Sequence, residues 1–240
     1  KSEMYALEAF KAGESSLNTY ELEALGNVQG RSLLHLQCHF GQDTLSLARL
    51  GAEVTGVDLS EVAIQKANEL TEKSGLKARF IVSDVLALDQ ILNETFDLVF
   101  TSYGVIGWLP DLIPWGEIIA HFLKPGGQFV IAEFHPVVWM FDDDLKQLAY
   151  SYFNQGLIVA KEEQSYAGAA EQELEAHCWN HALADVFQAL MKAGLRIEDF
   201  KEYNYSPYDI FGESVTVPGG FQVKGKEGVL PYIFSIKAAK

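Results

Sequence analysis

The chain is short of several things, and each shortage excludes something. Only two of its 240 residues are cysteine, Cys38 and Cys178. That is too few for a disulfide framework, so a reducing cytosol is the expected compartment. Basic residues are scarce: 18 Lys and Arg stand against 33 Asp and Glu, a formal net charge of -15, and they nowhere cluster. A partner held by its phosphates needs such clusters, so neither nucleic acid nor an anionic membrane surface is expected. No apolar run reaches the roughly eighteen residues of a membrane span, and nothing reads as a signal peptide. Repeats, low-complexity tracts and linkers are missing as well. The surplus of acid reads as a solubility device. With 48% hydrophobic and 21% charged residues, the composition fits one globular domain, 1–240. The first residue is Lys1 rather than Met, which leaves room for residues ahead of it.

What is present is a regular alternation of strands and helices. Residues 1–30 read as an amphipathic helical segment marked by Tyr5, Leu7, Phe10, Leu22 and Leu25, with a stop at Gly26 and Gly30. Ser32–Gln37 then reads as a buried parallel strand. A helix opens at Gly41 and ends at Gly51, and Glu53–Asp58 is a second strand. Ser60 caps the next helix, which runs to Gly75. Ala78–Ser83 and Phe96–Thr101 are strands three and four. Trp115, Ile118, Ile119, Phe122 and Leu123 form one helical stripe with Pro114 near its start. Lys124-Pro125-Gly126-Gly127 turns that helix into strand five, Gln128–Glu133.

This order predicts an α/β fold: a Rossmann-like, doubly wound, seven-stranded sheet, mostly parallel with an antiparallel last strand. The rhythm breaks over 136–180, an insertion after strand five that reads as a lid or edge hairpin. It has strand character over Tyr150–Ala160, and the acidic run Asp142–Asp144 reads as a solvated turn. Residues 181–240 add a helix capped by Asn180 and two strands, Leu195–Tyr203 and Leu230–Ala238. The half 30–135 carries the candidate chemistry.

In an open parallel sheet a ligand lies beyond the carboxyl ends of the strands, beside the first of them. The turn Gln37-Cys38-His39-Phe40-Gly41 falls there, and Asp58 ends the second strand. A carboxylate at that place can accept from both hydroxyls of a ribose; it can equally cap Ser60 and its helix. Ser83 and Asp84 end the third strand, where Asp84 can accept from an exocyclic amine such as adenine's or cap the next helix.

In order, these segments resemble the class I S-adenosylmethionine-dependent methyltransferases. His35-Leu36-Gln37-Cys38-His39-Phe40-Gly41 is similar to their first motif, an acidic residue followed by Gly-x-Gly-x-Gly. Val57-Asp58-Leu59-Ser60 resembles the ribose-binding motif and Ser83-Asp84-Val85 the adenine-binding one. Phe96–Gly104 resembles the fourth-strand motif, including Ser102 and Tyr103 beside the transferred methyl. Leu123–Gly127 resembles the turn before strand five. The resemblance implies S-adenosyl-L-methionine as cofactor, with Tyr20 closing over it from the N-terminal segment, and a small-molecule methyl acceptor. It covers about residues 30–135 by motif and the last helix and strands by order alone.

Departures sit in the first motif. His35 stands for the acid, and Gln37 and His39 stand for glycines, so either the loop is displaced or these side chains themselves bond the cofactor. A binder of the cofactor without catalysis is therefore a second reading. A nucleotide-dependent dehydrogenase is a third, weakened because Gly-x-Gly-x-x-Gly is absent and Asp84 has no role in it. Methyl transfer needs alignment, exclusion of water and removal of any acceptor proton. His135 and His181 are the candidate bases, and Tyr103, Trp108, His135 and Trp179 the candidate acceptor contacts. The groups His35/Cys38/His39 and His177/Cys178/His181 match no zinc spacing, so no metal is expected. The chain is expected to act as a monomer or homodimer.

Overall fold

The computed structural model describes residues 7–142, 145–162, 174–209 and 212–240. Seven strands form one sheet: β1 (Ser32–Leu36), β2 (Glu53–Asp58), β3 (Arg79–Val82), β4 (Phe96–Ser102), β5 (Leu123–Phe134), β8 (Arg196–Tyr203) and β11 (Ile233–Ala239). Their order across the sheet is β3-β2-β1-β4-β5-β11-β8. Pairing is parallel between β3, β2, β1, β4 and β5, whereas β11 runs antiparallel to both β5 and β8. The order reverses between β1 and β4, and the crevice of interest opens there.

Alternation along the strands supplies both faces of the sheet. Leu34, Leu36, Val99, Phe129 and Ile131 pack under α5 (Leu112–Phe122) and α6 (Leu183–Lys192), around the fully buried Trp115. Their neighbours Leu33, Leu98, Phe100 and Val130 face the other way, onto Leu25 of α2 (Thr19–Leu25) and Leu47 of α3 (Gln42–Arg49). Because both faces are covered there, the central strands β1, β4 and β5 are nearly continuous apolar runs, whereas the edge strand β8 is polar. The helix α4 (Glu61–Ser74) follows β2, capped by the Ser60 hydroxyl on the Ala63 amide.

Several expectations need correction. The N-terminal segment is not one helix: α1 (Leu7–Lys11) and α2 are separate, Leu22 is exposed, and Tyr5 lies outside the described residues. Asn180 does not cap α6; the cap is Ala182, whose amide is taken by the Asp185 carboxylate at 2.9 Å. Asn180 instead donates to the carbonyls of Trp139 and Ser151. The Lys124–Gly127 turn lies within β5, looping out between the pairs Phe96–Leu123 and Leu98–Gln128. A Cβ at Gly127 would come within 2.9 Å of the Lys124 carbonyl, which explains glycine there. Lys124 reaches Asp97 at 3.0 Å, and the Ser32 hydroxyl and amide with Lys124 hold the Asp97 carboxyl down at about 2. This knot lies at the amino end of the sheet, away from the crevice.

In the insertion, strand structure begins only at Ile158: β6 (Ile158–Glu162) pairs antiparallel with β7 (Leu174–Cys178) as a separate ribbon. Asp142 accepts from the Lys146 amide at 2.7 Å; Asp143 and Asp144 lie outside the described residues. Between β8 and β11 there is a hairpin that the sequence reading missed, β9 (Ser214–Val217) and β10 (Gly220–Val223). The Pro218-Gly219 pair at its turn was the available signal.

Candidate active site at the sheet switch point

The turn between β1 and α3 has the backbone of a glycine loop without its glycines. Gln37 (φ 54°) and His39 (φ 50°) are left-handed, a region costing an ordinary side chain about 1–2 kcal/mol. Gly41 (φ 76°) keeps its glycine for two reasons: a Cβ would strain the backbone and come within 2.5 Å of the Phe80 ring. Gly41 is the N-cap of α3, as its place in the motif implied.

Asp58 ties the ends of β1 and β2 together. Its Oδ2 accepts from the His39 amide at 2.7 Å and its Oδ1 from the Ser60 amide at 2.9 Å, so it caps and braces at once. Each oxygen retains a lone pair for a further donor. Leu59 beside it is 71% exposed, an apolar wall with nothing against it. Asp84 accepts from the Leu86 amide at 2.9 Å, capping a 3-10 helix, and remains exposed. The Ser83 hydroxyl donates to the Asp84 carbonyl, and the Val85 side chain turns into the core rather than the crevice.

The other residues divide sharply. His35 is 2% exposed, hydrogen-bonded through Nδ1 to Thr44 at 2.8 Å and packed on Phe100. Strand alternation sends it to the α3 face, and burial pushes its pKa down to about 3, so it is a neutral core histidine, not a crevice group. Cys38 is buried, with its thiol pKa raised by burial and then by the Asp58 charge. The His39 ring stacks near Phe40 at 4.6 Å, its pKa lowered by burial. Tyr20 is buried among Tyr203 and Tyr205 with its hydroxyl on the Tyr205 carbonyl at 3.3 Å, spent in packing rather than turned to the crevice.

Gln37 and Tyr103 face one another's region across the switch point. Gln37 Nε2 donates to the Val105 carbonyl at 3.0 Å, whereas its Oε1 is buried without a partner. The Tyr103 hydroxyl is also buried and lies beside the Glu21 carboxyl. The orphaned Gln37 oxygen fits a ligand that brings a donor. A cavity of about 580 Å³ adjoins the turn, lined by Phe10, Ser16, Asn18, His39, Asp43, Tyr208 and Phe221 among others. Asp58, Asp84, Gln37 and Tyr103 lie outside that lining, so the cavity runs between the turn, the N-terminal segment and residues 207–209.

Two acids here escaped the sequence reading. Asp43 accepts from the hydroxyls of Ser16 (2.6 Å) and Ser102 (3.3 Å), and burial raises its pKa. Glu21 is fully buried and accepts from the Asn18 amide at 2.9 Å. Burial, then the Asp43 charge, push its carboxyl up to about 7. The Asn18-x-x-Glu21 spacing is a capping box and could have revealed it.

The two histidines differ. His135 Nδ1 accepts from the Val137 amide at 3.2 Å and Nε2 pairs with Glu202 at 2.9 Å, so no lone pair is left for an acceptor proton. His181 Nε2 donates to the Leu109 carbonyl at 2.7 Å, leaving Nδ1 with only a 3.5 Å contact to Asn154. Trp179 donates its amide to Gly107, and Trp108 is 49% exposed on the same short segment. Among the described residues no group of three His, Cys, Asp or Glu is placed to hold a metal ion, and no helix is long and apolar enough to cross a membrane.

Comparison with known proteins agrees with this geometry. A methyltransferase-domain family model matches residues 33–127. An uncharacterised methyltransferase of Bacillus subtilis, YbaJ, is 25% identical over 185 residues, 73% of this chain and 69% of its own length. A ubiquinone biosynthesis O-methyltransferase of Alkalilimnicola ehrlichii is 30% identical over 47% of this chain, which spans only 45% of that relative's length. A solved structure described as a putative S-adenosylmethionine-dependent methyltransferase of Listeria monocytogenes shares the fold, with a TM-score of 0.63 at 18% identity over 97% of this chain and 99% of that one. These matches show that the chain is similar to S-adenosylmethionine-dependent methyltransferases and shares their fold.

Proposed function

We propose that the protein transfers a methyl group from S-adenosylmethionine to a small-molecule acceptor. The observation that carries this reading is the β1–α3 turn: it holds the glycine-loop backbone without glycines and is braced by Asp58 through the His39 amide. Bound at the crevice, the cofactor would supply an electrophilic methyl on a sulfonium. Asp58 would take the ribose hydroxyls on its remaining lone pairs, with Leu59 and Ser60 beside it. Asp84 and Ser83 would meet the adenine edge. Gln37, Cys38, His39 and Gly41 would contact the methionine part, the Gln37 Oε1 accepting from its ammonium. Ser102 and Tyr103 would border the methyl.

For an acceptor that must lose a proton, His181 is the better base of the two histidines. Its Nδ1, held only by the long 3.5 Å contact to Asn154, is the acceptor, and burial lowers its pKa and so favours the neutral ring. Trp108 and Trp179 would wall the acceptor beside it. The scarcity of Lys and Arg supports a small acceptor over nucleic acid. A noncatalytic binder is the second reading, favoured by the His135 geometry, which leaves that side chain no chemical role.

The test combines calorimetry with S-adenosylhomocysteine and transfer of label from methyl-labelled S-adenosylmethionine into a metabolite extract. Binding with labelled product supports the enzyme, and binding without product in any extract supports the binder. Absence of binding overturns both.

A further inference from the structure

Strand β5 is apolar from Phe129 to Phe134 except for one acid, Glu133, which is 1% exposed. Its carboxylate accepts from the amides of Gly104, Val105 (2.8 Å), Ile106 (3.4 Å) and Phe134 (2.6 Å). Three of these open the turn after β4, where Tyr103 (φ 36°) and Gly104 (φ 72°) are left-handed. Such turns point successive N–H groups into one concavity that favours an anion, and here the protein's own side chain fills it. Burying a carboxylate is costly unless it is bonded this fully. The segment it holds is a hub. Val105 accepts from Gln37, Gly107 from the Trp179 amide and Leu109 from His181.

We propose that Glu133 is a positioning residue for the cofactor: it fixes the 103–106 turn, and through the Val105 carbonyl it fixes Gln37 and the turn after β1. This rests on the cofactor reading above. Glu133 touches neither ligand nor reacting atoms. Its effect passes along one carboxylate, one carbonyl and one side-chain amide.

The experiment pairs hydrogen exchange with S-adenosylhomocysteine calorimetry on Glu133→Gln. The carboxamide keeps one acceptor oxygen and sets an NH2 group against the donors. In protein still folded at the assay temperature, the amides of 104–106 are expected to exchange about tenfold faster. Those of Cys38, His39 and Gly41, all hydrogen-bonded in the wild type, should quicken with them. Affinity for S-adenosylhomocysteine should fall about tenfold or more. Gln37→Gly should lower affinity similarly alone and add nothing in the Glu133→Gln background. Faster exchange confined to 104–106, with affinity within about twofold of wild type, overturns the proposal. Should Glu133→Gln not fold, Gly104→Ala takes its place. The added Cβ meets nothing within 4 Å, so only the backbone of the turn is disturbed, and the same two shifts are expected. If the shifts are absent there too, the proposal fails. A wild-type protein that binds no S-adenosylhomocysteine would overturn the cofactor reading, and the exchange arm would still decide the link between the two turns.

Discussion

The turns after β1 and after β4 flank the same crevice and solve the same conformational problem in opposite ways. Both need left-handed backbone: Gln37 and His39 in one, Tyr103 and Gly104 in the other. The first is held locally, by Asp58 on the His39 amide and by packing against Gly41. The second is held from a neighbouring strand, by a carboxylate buried beneath it. Strain over 37–41 is thus tied to a group at the open crevice, whereas strain over 103–106 is tied to a buried one. A change in the first turn should act on the crevice directly, and one in the second through the Val105 carbonyl and Gln37.

The largest expected effect breaks the comparison at its glycines. Gly41→Ala places a Cβ 2.5 Å from the Phe80 ring and is expected to cost about 3 kcal/mol in chemical denaturation. Gly104→Ala meets no atom and should cost only about 1 kcal/mol. Equal losses would erase the distinction between the turns.

Next comes a pH dependence beneath the first turn. The Glu21 carboxyl is raised from 4.5 to about 7 in the folded protein, so folding favours its protonated form. Wild-type stability should therefore be least penalised below pH 4.5 and decline as pH rises through 7. Glu21→Gln keeps the capping geometry and removes the titration. It should match wild type near pH 4 and exceed it by about 3 kcal/mol at pH 8, read from denaturation at the two pH values. A difference independent of pH would deny the shift.

Asp58→Ala is expected to weaken S-adenosylhomocysteine about tenfold, close to 1.4 kcal/mol, since a charged acceptor is lost. Unchanged affinity in calorimetry would remove Asp58 from the ribose site. The smallest effect sharpens the comparison further. His39→Gly relieves about 1 kcal/mol of left-handed strain but frees the unfolded chain by a similar amount, so stability should move by no more than about 0.5 kcal/mol.

The sheet was legible because burial on both faces writes β1, β2, β4 and β5 as apolar runs punctuated by Gly51, Ser60 and Gly75. Gly41 and Asp58 were legible because fixed spacing after a strand ties them to the turn. The acids that brace the site were not. Glu21, Asp43 and Glu133 look like surface residues in a chain with 33 Asp and Glu, and only tertiary contact distinguishes the buried ones. The lone charge within Phe129–Phe134 was the sign available for Glu133. The left-handed φ of Gln37 and His39 was hidden for a different reason. Ordinary side chains argue against that conformation, and bonds from distant residues override the local preference. His135 misled in the reverse sense, since its place at a strand end said nothing of Glu202, sixty-seven positions away.

The place of β11 has a kinetic consequence. It pairs with β5 on one side and β8 on the other, yet it follows both of them in the chain. During synthesis β5 keeps an open hydrogen-bonding edge, and β8 has no sheet neighbour, until residues 233–239 emerge and insert between them. Completing the sheet is then a long-range step that closes a gap rather than extending an edge, and such non-local pairing is slow. Until it happens the apolar strand β5 keeps one edge unpaired, which exposes the chain to edge-to-edge aggregation.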